Sequence, residues 1–189
     1  MKPRLVDLSK DGYVIEPRYY FWGWSKAPKI VGHEQLAADL RKAKRLLPRN
    51  WNFKIWDCQR PRFVQILMLE SFKRRFRARH PDWSKTELEK TLYTFGARPY
   101  WRTERLDVHR SGGAVDLTIV DAEGRELWMG TDHDDLTEVA ALAYFEIHPA
   151  KHVLDFLAKK NRRFLSRVMR KAGFKKYDPE WWHWMYGGT

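Results

Sequence analysis

The chain has 189 residues, 43% of them hydrophobic and 15% aromatic, which excludes disorder as its general state and leaves room for one domain, residues 1–189, with a sizeable core. Lys and Arg number 36 against 24 Asp and Glu, so the net charge is +12 and an anionic partner is suggested. The lone cysteine, Cys58, excludes an intramolecular disulfide and a cysteine-rich zinc site, and it reads as inert packing.

No stretch reaches the ~18 apolar residues that a membrane helix needs. The opening MKPRLVDLSKDGYVIEP has no apolar run of the secretory kind, so a cytoplasmic protein without a membrane partner is expected. Leu36, Leu40, Ala43 and Leu47 form a helical stripe that ends before Pro48. NFKIWDC, Asn52 to Cys58, alternates as a strand does. Pro61 then suits the first turn of a helix carrying Phe63, Ile66, Leu69, Phe72 and Phe76. Ser84 with Glu87 three residues on predicts the start of a further helix. GAVDLTIV, Gly113 to Val120, reads as a strand, and the DAEGRE turn predicts a hairpin back along ELWM. A long helix is predicted over Val153 to Ala172, with Leu154, Leu157, Phe164, Leu165 and Val168 inward and Gly173 as its stop. Strands and helices fall in separate runs, so the expected class is α+β, a small antiparallel sheet flanked by helices.

The positive charge gathers in FKRRFRARH, Phe72 to His80, and at Arg162, Arg163, Arg167 and Arg170. Such clusters are either solvated faces or platforms for nucleic acid or another anionic polymer, and no RNP, zinc-finger or Gly-rich phosphate signature accompanies them.

Four short stretches hold the chemistry: DCQRP with Arg60, HRSGGAVD with His109 and Asp116, TDHDD with Asp134, and EWWH with Glu180 and His183. His109 and Asp116 are an odd number of residues apart and would leave a flat strand on opposite faces, but Gly112 and Gly113 permit the bend that brings them together. Glu180 and His183 pose the same problem, and a bulge or turn is expected between them. Two histidines and one carboxylate leave a fourth position open, the pattern of catalytic zinc, which lowers the pKa of water to roughly 7. Glu180 beside such an ion is a candidate base. Arg60, between a strand and a helix, can reach a developing oxyanion. The tryptophans around Glu180 and His183 would keep water out.

These motifs resemble those of the VanX-type D-alanyl-D-alanine dipeptidases. HRSGGAVD is similar to their His-x-x-Gly-x-Ala-x-Asp motif, EWWH to their second zinc motif, DCQRP to their Arg-Pro element and MGTDHDD to the segment after the zinc aspartate. The resemblance covers separated blocks from about Trp56 to Trp184. It implies an α+β fold, one zinc ion held by His109, Asp116 and His183, Glu180 as general base and proton donor, and Arg60 as transition-state clamp. It also implies that Asp134 holds the amine of a dipeptide substrate and that Tyr19 faces that substrate. One position departs: the family has Ser two residues before the zinc histidine, where it helps hold the substrate carboxylate, and here Asp107 stands there. A carboxylate repels a carboxylate unless Arg105 or Arg110 compensates. Two other readings stand beside this one: a zinc DD-carboxypeptidase or endopeptidase acting on cell-wall peptides, and a basic nucleic-acid-binding domain whose binding would fall steeply with salt.

Overall fold

The computed structural model describes residues 4–99 and 108–188. Its centre is a five-stranded sheet in the order β2-β4-β5-β7-β6. The strands are β2 (Val14–Ile15), β4 (Asn52–Asp57), β5 (Ala114–Val120), β6 (Lys175–Lys176) and β7 (His183–Met185). A separate antiparallel pair joins β1 (Leu5–Asp7) to β3 (Val31–His33). The helices are α1 (Arg18–Phe21), α2 (Glu34–Lys44), α3 (Arg62–Arg79), α4 (Lys85–Phe95), α5 (Tyr144–Ile147) and α6 (Val153–Lys171).

The α+β class agrees with the sequence. The sheet is antiparallel except at one edge, where β2 runs parallel to β4. A parallel pair needs a long crossover, and α1, β3 and α2 lie between these two strands. β5 is the central strand, and every one of its seven residues is buried. The predicted hairpin after it is cut short. Glu126 makes an isolated bridge to Val120, and Leu127 N–H donates to Ile119 at 2.9 Å, but no regular strand continues. The reason is competition for one edge: β7 pairs with Ala114 to Asp116, and Leu117 N–H already bonds Trp182 O.

Two helical faces differ from expectation. On α3 the buried residues are Val64, Met68, Leu69, Phe72 and Phe76, whereas Phe63 is 45% exposed. Steps of three residues drift about 60° per step around a helix of 3.6 residues per turn, so a run from Phe63 through Ile66 cannot stay on the face that holds Phe76. On α6, Leu165 and Val168 are buried as expected, but Leu154 and Leu157 are exposed. Its first two turns run past the core, and its buried face carries the polar pair Asn161 and Arg162. Arg162 therefore leaves the predicted basic stripe. Its guanidinium donates to the carbonyls of Met129 (2.6 Å), Ala141 (2.6 Å) and Val139 (2.9 Å). Burial pulls its pKa down to about 9, so it remains charged at neutral pH. In the other basic cluster Lys73, Arg74, Arg77 and Arg79 are exposed, while Arg75 is half-buried.

The core has two parts. The larger lies on the sheet and includes Phe53, Ile55, Val115, Leu117, Leu165, Trp181, Trp182 and Trp184. The smaller joins α3 to α4 through Met68, Phe72, Phe76, Leu88 and Leu92, and Tyr19 belongs to it. Ser84 and Glu87 form the expected capping box at the start of α4.

Candidate metal centre and its cavity

The sheet register builds the site. Asp57 on β4 stands opposite Asp116 on β5, and Asp116 stands opposite His183 on β7, so three polar residues form one row across three strands. A register shift between Ile55 and Asp57 turns Asp57 into that row. His109 arrives from a single 3-10 turn, His109–Ser111, which ends at Gly112 with φ 79°. The expected glycine bend is therefore present. A side chain at Gly112 would put its Cβ 2.9 Å from His33 N, whose N–H bonds the Gly112 carbonyl. The expected turn before His183 is present too: His183 N–H reaches back to the Glu180 carbonyl at 3.4 Å.

His109 Nε2, Asp116 Oδ1 and His183 Nδ1 converge. Their separations are 3.0 Å between the two imidazoles, 3.0 Å from His183 to Asp116 and 3.3 Å from His109 to Asp116. Ligands about 2.0–2.1 Å from a tetrahedral zinc lie roughly 3.3 Å apart. The proton inventory points the same way. His109 Nδ1 donates to the Cys58 carbonyl at 2.7 Å, which leaves Nε2 with a lone pair. A single proton on His183 Nδ1 could satisfy only one of the two acceptors facing it. Donors fixed by a second hydrogen bond and aimed at one point are what a metal ligand set needs. Among the described residues these three are the group that could hold a metal ion.

The charge states suit that role. Burial works to raise the Asp116 pKa, but the imidazoles around it, His109 ahead of His133 and His183, outweigh burial and hold it well below the usual carboxylate range. Burial pulls His183 down, toward the neutral form that ligates.

Glu180 lines the same cavity, with Oε2 3.8 Å from His183 Nδ1. Burial holds its carboxyl well above the usual range, the charges of Asp116 and Asp134 add to the rise, and Arg60 opposes it. A divalent ion at the trio would pull that value back down. The tryptophans beside Glu180 are 2% exposed or less. They are core and wall at once: Trp181 donates to Thr131 Oγ1 at 2.8 Å, and Trp182 packs edge-on against His133.

Arg60 is buried against three acceptors. Nε donates to Asp57 at 2.8 Å, Nη2 to Asp116 Oδ2 at 3.0 Å and Nη1 to Gln65 Oε1 at 2.9 Å, with Met68 Sδ also 3.0 Å from Nη1. Of its five N–H groups, one on Nη2 remains for the cavity that Arg60 lines. Burial alone would lower its pKa, but Tyr19, Asp57, Asp116 and Asp134 raise it, so the charge is permanent.

Asp134 also lines the cavity. Its backbone is left-handed, φ 59°, and its carbonyl accepts from Arg75 at 3.0 Å. Tyr19 donates its hydroxyl to Asp134 Oδ2 at 3.2 Å and lies under the Arg60 guanidinium, 4.8 Å from Cζ to ring centre. Tyr19 thus stands behind Asp134 and is not among the cavity's lining residues. Asp107 and Arg105 lie outside the described residues.

Two participants escaped the sequence reading. Asp57 accepts from Arg60 and sits 3.2 Å from His109 Nδ1. His133, fully enclosed, places Nε2 3.4 Å from Asp116 Oδ2 and 3.6 Å from Asp134 Oδ1. DCQRP and TDHDD contain them; the signal was an acid or imidazole close to an already chosen residue, and the β4–β5 register turns Asp57 inward while the loop after Met129 carries His133 to Asp116. Cys58 is packing, as expected: its thiol is buried, burial pushes its pKa well up, and Sγ lies 3.5 Å from Gly112 O.

The cavity measures about 370 Å³. On one side it meets the trio, Glu180, Arg60 and Asp134, and on the other a wall from the end of α4, Tyr93 to Pro99. One histidine from a turn, a second histidine and an aspartate from the sheet, a buried glutamate and an arginine in one cleft form a site of the metallohydrolase kind. Comparison with known proteins agrees. The model of the peptidase M15 family, D-Ala-D-Ala dipeptidase, matches residues 21–189, and the chain belongs to that family. It is 28% identical over 164 residues to the D-alanyl-D-alanine dipeptidase of Enterococcus faecium, a match covering 83% of this chain and 73% of the relative. It is 31% identical over 165 residues to that of Streptomyces coelicolor, covering 84% and 74%. For the Synechocystis protein of the same name the figures are 27% over 150 residues, 73% and 60%. No helix of the described chain is long and apolar enough to cross a membrane.

Proposed function

We propose that residues 1–189 form one zinc-dependent dipeptidase domain that hydrolyses D-alanyl-D-alanine to two molecules of D-alanine. The observation that carries this is the convergence of three lone pairs at 3.0–3.3 Å beside the buried Glu180, in a chain of this family.

His109, Asp116 and His183 would hold one zinc ion, which when bound supplies Lewis-acid chemistry, polarising the scissile carbonyl and making water acidic near neutral pH. Asp134, its carboxylate oriented by Tyr19, holds the free amine of the substrate. Arg60 turns its remaining Nη2 N–H toward the carbonyl oxygen as negative charge develops there. Glu180 takes a proton from the attacking water and gives it to the amine of the departing D-alanine. Enclosure by Trp181 and Trp182 keeps bulk water from screening Glu180. Asp107, in the position that faces the substrate carboxylate in the family, would bear on which C-terminal residue is accepted.

The test is turnover of D-Ala-D-Ala by purified protein with metal content measured in parallel. Chelation should abolish turnover and lower the melting temperature, and zinc should restore both. Glu180→Gln should keep the metal and lose roughly 10²- to 10⁴-fold in kcat. His183→Ala should lose the metal. Wild-type turnover by Glu180→Gln would remove the base from this reading. Cleavage of longer cell-wall peptides with D-Ala-D-Ala untouched would replace the dipeptidase by the carboxypeptidase or endopeptidase alternative.

A further inference from the structure

Gln65 joins Arg60 to the wall of the cavity. Its Oε1 accepts from Arg60 Nη1 at 2.9 Å, and its Nε2 donates to the Ala97 carbonyl at 2.9 Å. The amide has only one orientation that serves both, because a guanidinium can only donate and a carbonyl can only accept. One turn earlier on α3, Arg62 Nε donates to the Pro99 carbonyl at 3.0 Å. The segment from Ala97 to Pro99 is therefore strapped to α3 at both ends, and all three residues line the cavity. Gly96 lies so close to α3 that an added Cβ would come 2.7 Å from Leu69 Cδ2. From the other side Tyr177, also at the cavity, donates its hydroxyl to the Thr94 carbonyl at 2.8 Å.

Arg60 has two kinds of partner. Asp57 and Asp116 hold Nε and Nη2 on the sheet side. Two neutral groups of α3, Gln65 Oε1 and Met68 Sδ, meet Nη1, and Gln65 is the one that also hydrogen-bonds the wall.

We propose that Gln65 is a positioning residue that makes the Ala97–Pro99 wall and the Arg60 guanidinium one mechanical unit, so that the fit of the substrate against that wall is read out at Arg60. This rests on the reading of Arg60 as the clamp on the carbonyl oxygen. A substrate residue that meets the wall without displacing it leaves the clamp aligned. One that pushes the wall outward drags Nη1 away from the reacting carbonyl, and the penalty falls on kcat as well as on KM.

Two variants separate the arms of the amide. Gln65→Met removes both hydrogen bonds at similar volume. Gln65→Glu keeps an acceptor for Arg60 and loses the donor to Ala97. Each is loaded with zinc and measured for metal content, for kcat and KM on D-Ala-D-Ala, and for amide hydrogen exchange in residues 94–99, with Arg60→Lys alongside. Both Gln65 variants should hold zinc as the wild type does and exchange faster over 94–99. Gln65→Met should lose roughly 10- to 100-fold in kcat, the scale of a small misplacement at a reacting centre. Gln65→Glu should recover most of that loss while keeping a raised KM. The coupling is overturned if Arg60→Lys is inactive while Gln65→Met turns over within about twofold of wild type. It is also overturned if both variants exchange over 94–99 as wild type does. Full turnover by Arg60→Lys would instead overturn the clamp reading beneath. Should Gln65→Met not fold, Gln65→Glu decides alone: wild-type exchange together with wild-type KM sinks the proposal.

Discussion

Among the described residues two arginines, Arg60 and Arg162, are buried, and they are buried for different reasons. Arg162 is 2% exposed and meets three neutral carbonyls from the segments around Met129 and Val139 to Ala141. Arg60 is 6% exposed and meets two carboxylates and an amide at the edge of a cavity. Burial lowers the pKa of Arg162, whereas the acids around Arg60 raise its pKa despite burial. A guanidinium set among neutral carbonyls and over the Phe145 ring is a structural tie, and Arg162 is not among the residues that line the cavity. A guanidinium ringed by carboxylates sits in negative charge that a bound cation or an ammonium group can also use, and it keeps an N–H for a ligand.

That contrast can be broken by experiment. The largest effect expected is on turnover: Arg60→Lys should retain metal and lose roughly 10²- to 10³-fold in kcat, the usual cost of removing one oxyanion donor. Next is stability. Arg162→Met takes the donor from the Met129 and Val139 carbonyls, at about 1–3 kcal/mol each, whereas Ala141 O still accepts from Tyr144 N–H. Taking the low end, about 2 kcal/mol, the melting temperature should fall by roughly 4–8 °C for a chain of this size. The folded fraction of Arg162→Met should keep kcat within about tenfold, since it touches no reacting group. If the two variants lose activity alike, or melt alike, the distinction is wrong.

A smaller effect sharpens it. In the metal-free protein the Glu180 carboxyl titrates well above its reference value of 4.5. Between that value and the raised one, the folded state binds a proton that the unfolded state has released, so stability falls as pH rises through this window. Gln cannot release a proton. Metal-free Glu180→Gln should therefore melt above metal-free wild type at pH 7, by about 2–4 °C for each kcal/mol relieved. At pH 4 the two should converge, because both states then carry the proton. Thermal melts across pH with chelator present measure this directly.

Much of this site was legible in the sequence, because its motifs are local. His109 and Asp116 flank glycines whose bend their spacing demanded, and Gly112 supplies it at φ 79°. Glu180 and His183 required a turn, and one is there. The elements were legible where periodicity was clean, as on β4 and α2. What stayed hidden depends on register or on distance. Asp57 joins the site only because β4 shifts register between Ile55 and Asp57. Gln65 looked like an ordinary polar residue on a helix, and its value lies in a carbonyl 32 positions away. The start of α6 misled because Leu154 and Leu157 continue the apolar stripe past the end of the core. Arg162 misled because a buried cation has the same letter as a solvated one.

The row from Asp57 through Asp116 to His183 runs across three strands whose pairing is set by hydrogen bonds rather than by the ligands themselves. Side chains on a strand alternate faces, so a slip of one residue between β5 and β7 would turn His183 to the opposite side of the sheet from Asp116. If the trio takes up a metal ion as proposed, ion capture is a report on assembly: uptake would require aligned central strands, and it could serve to score refolding in variants that no longer turn over.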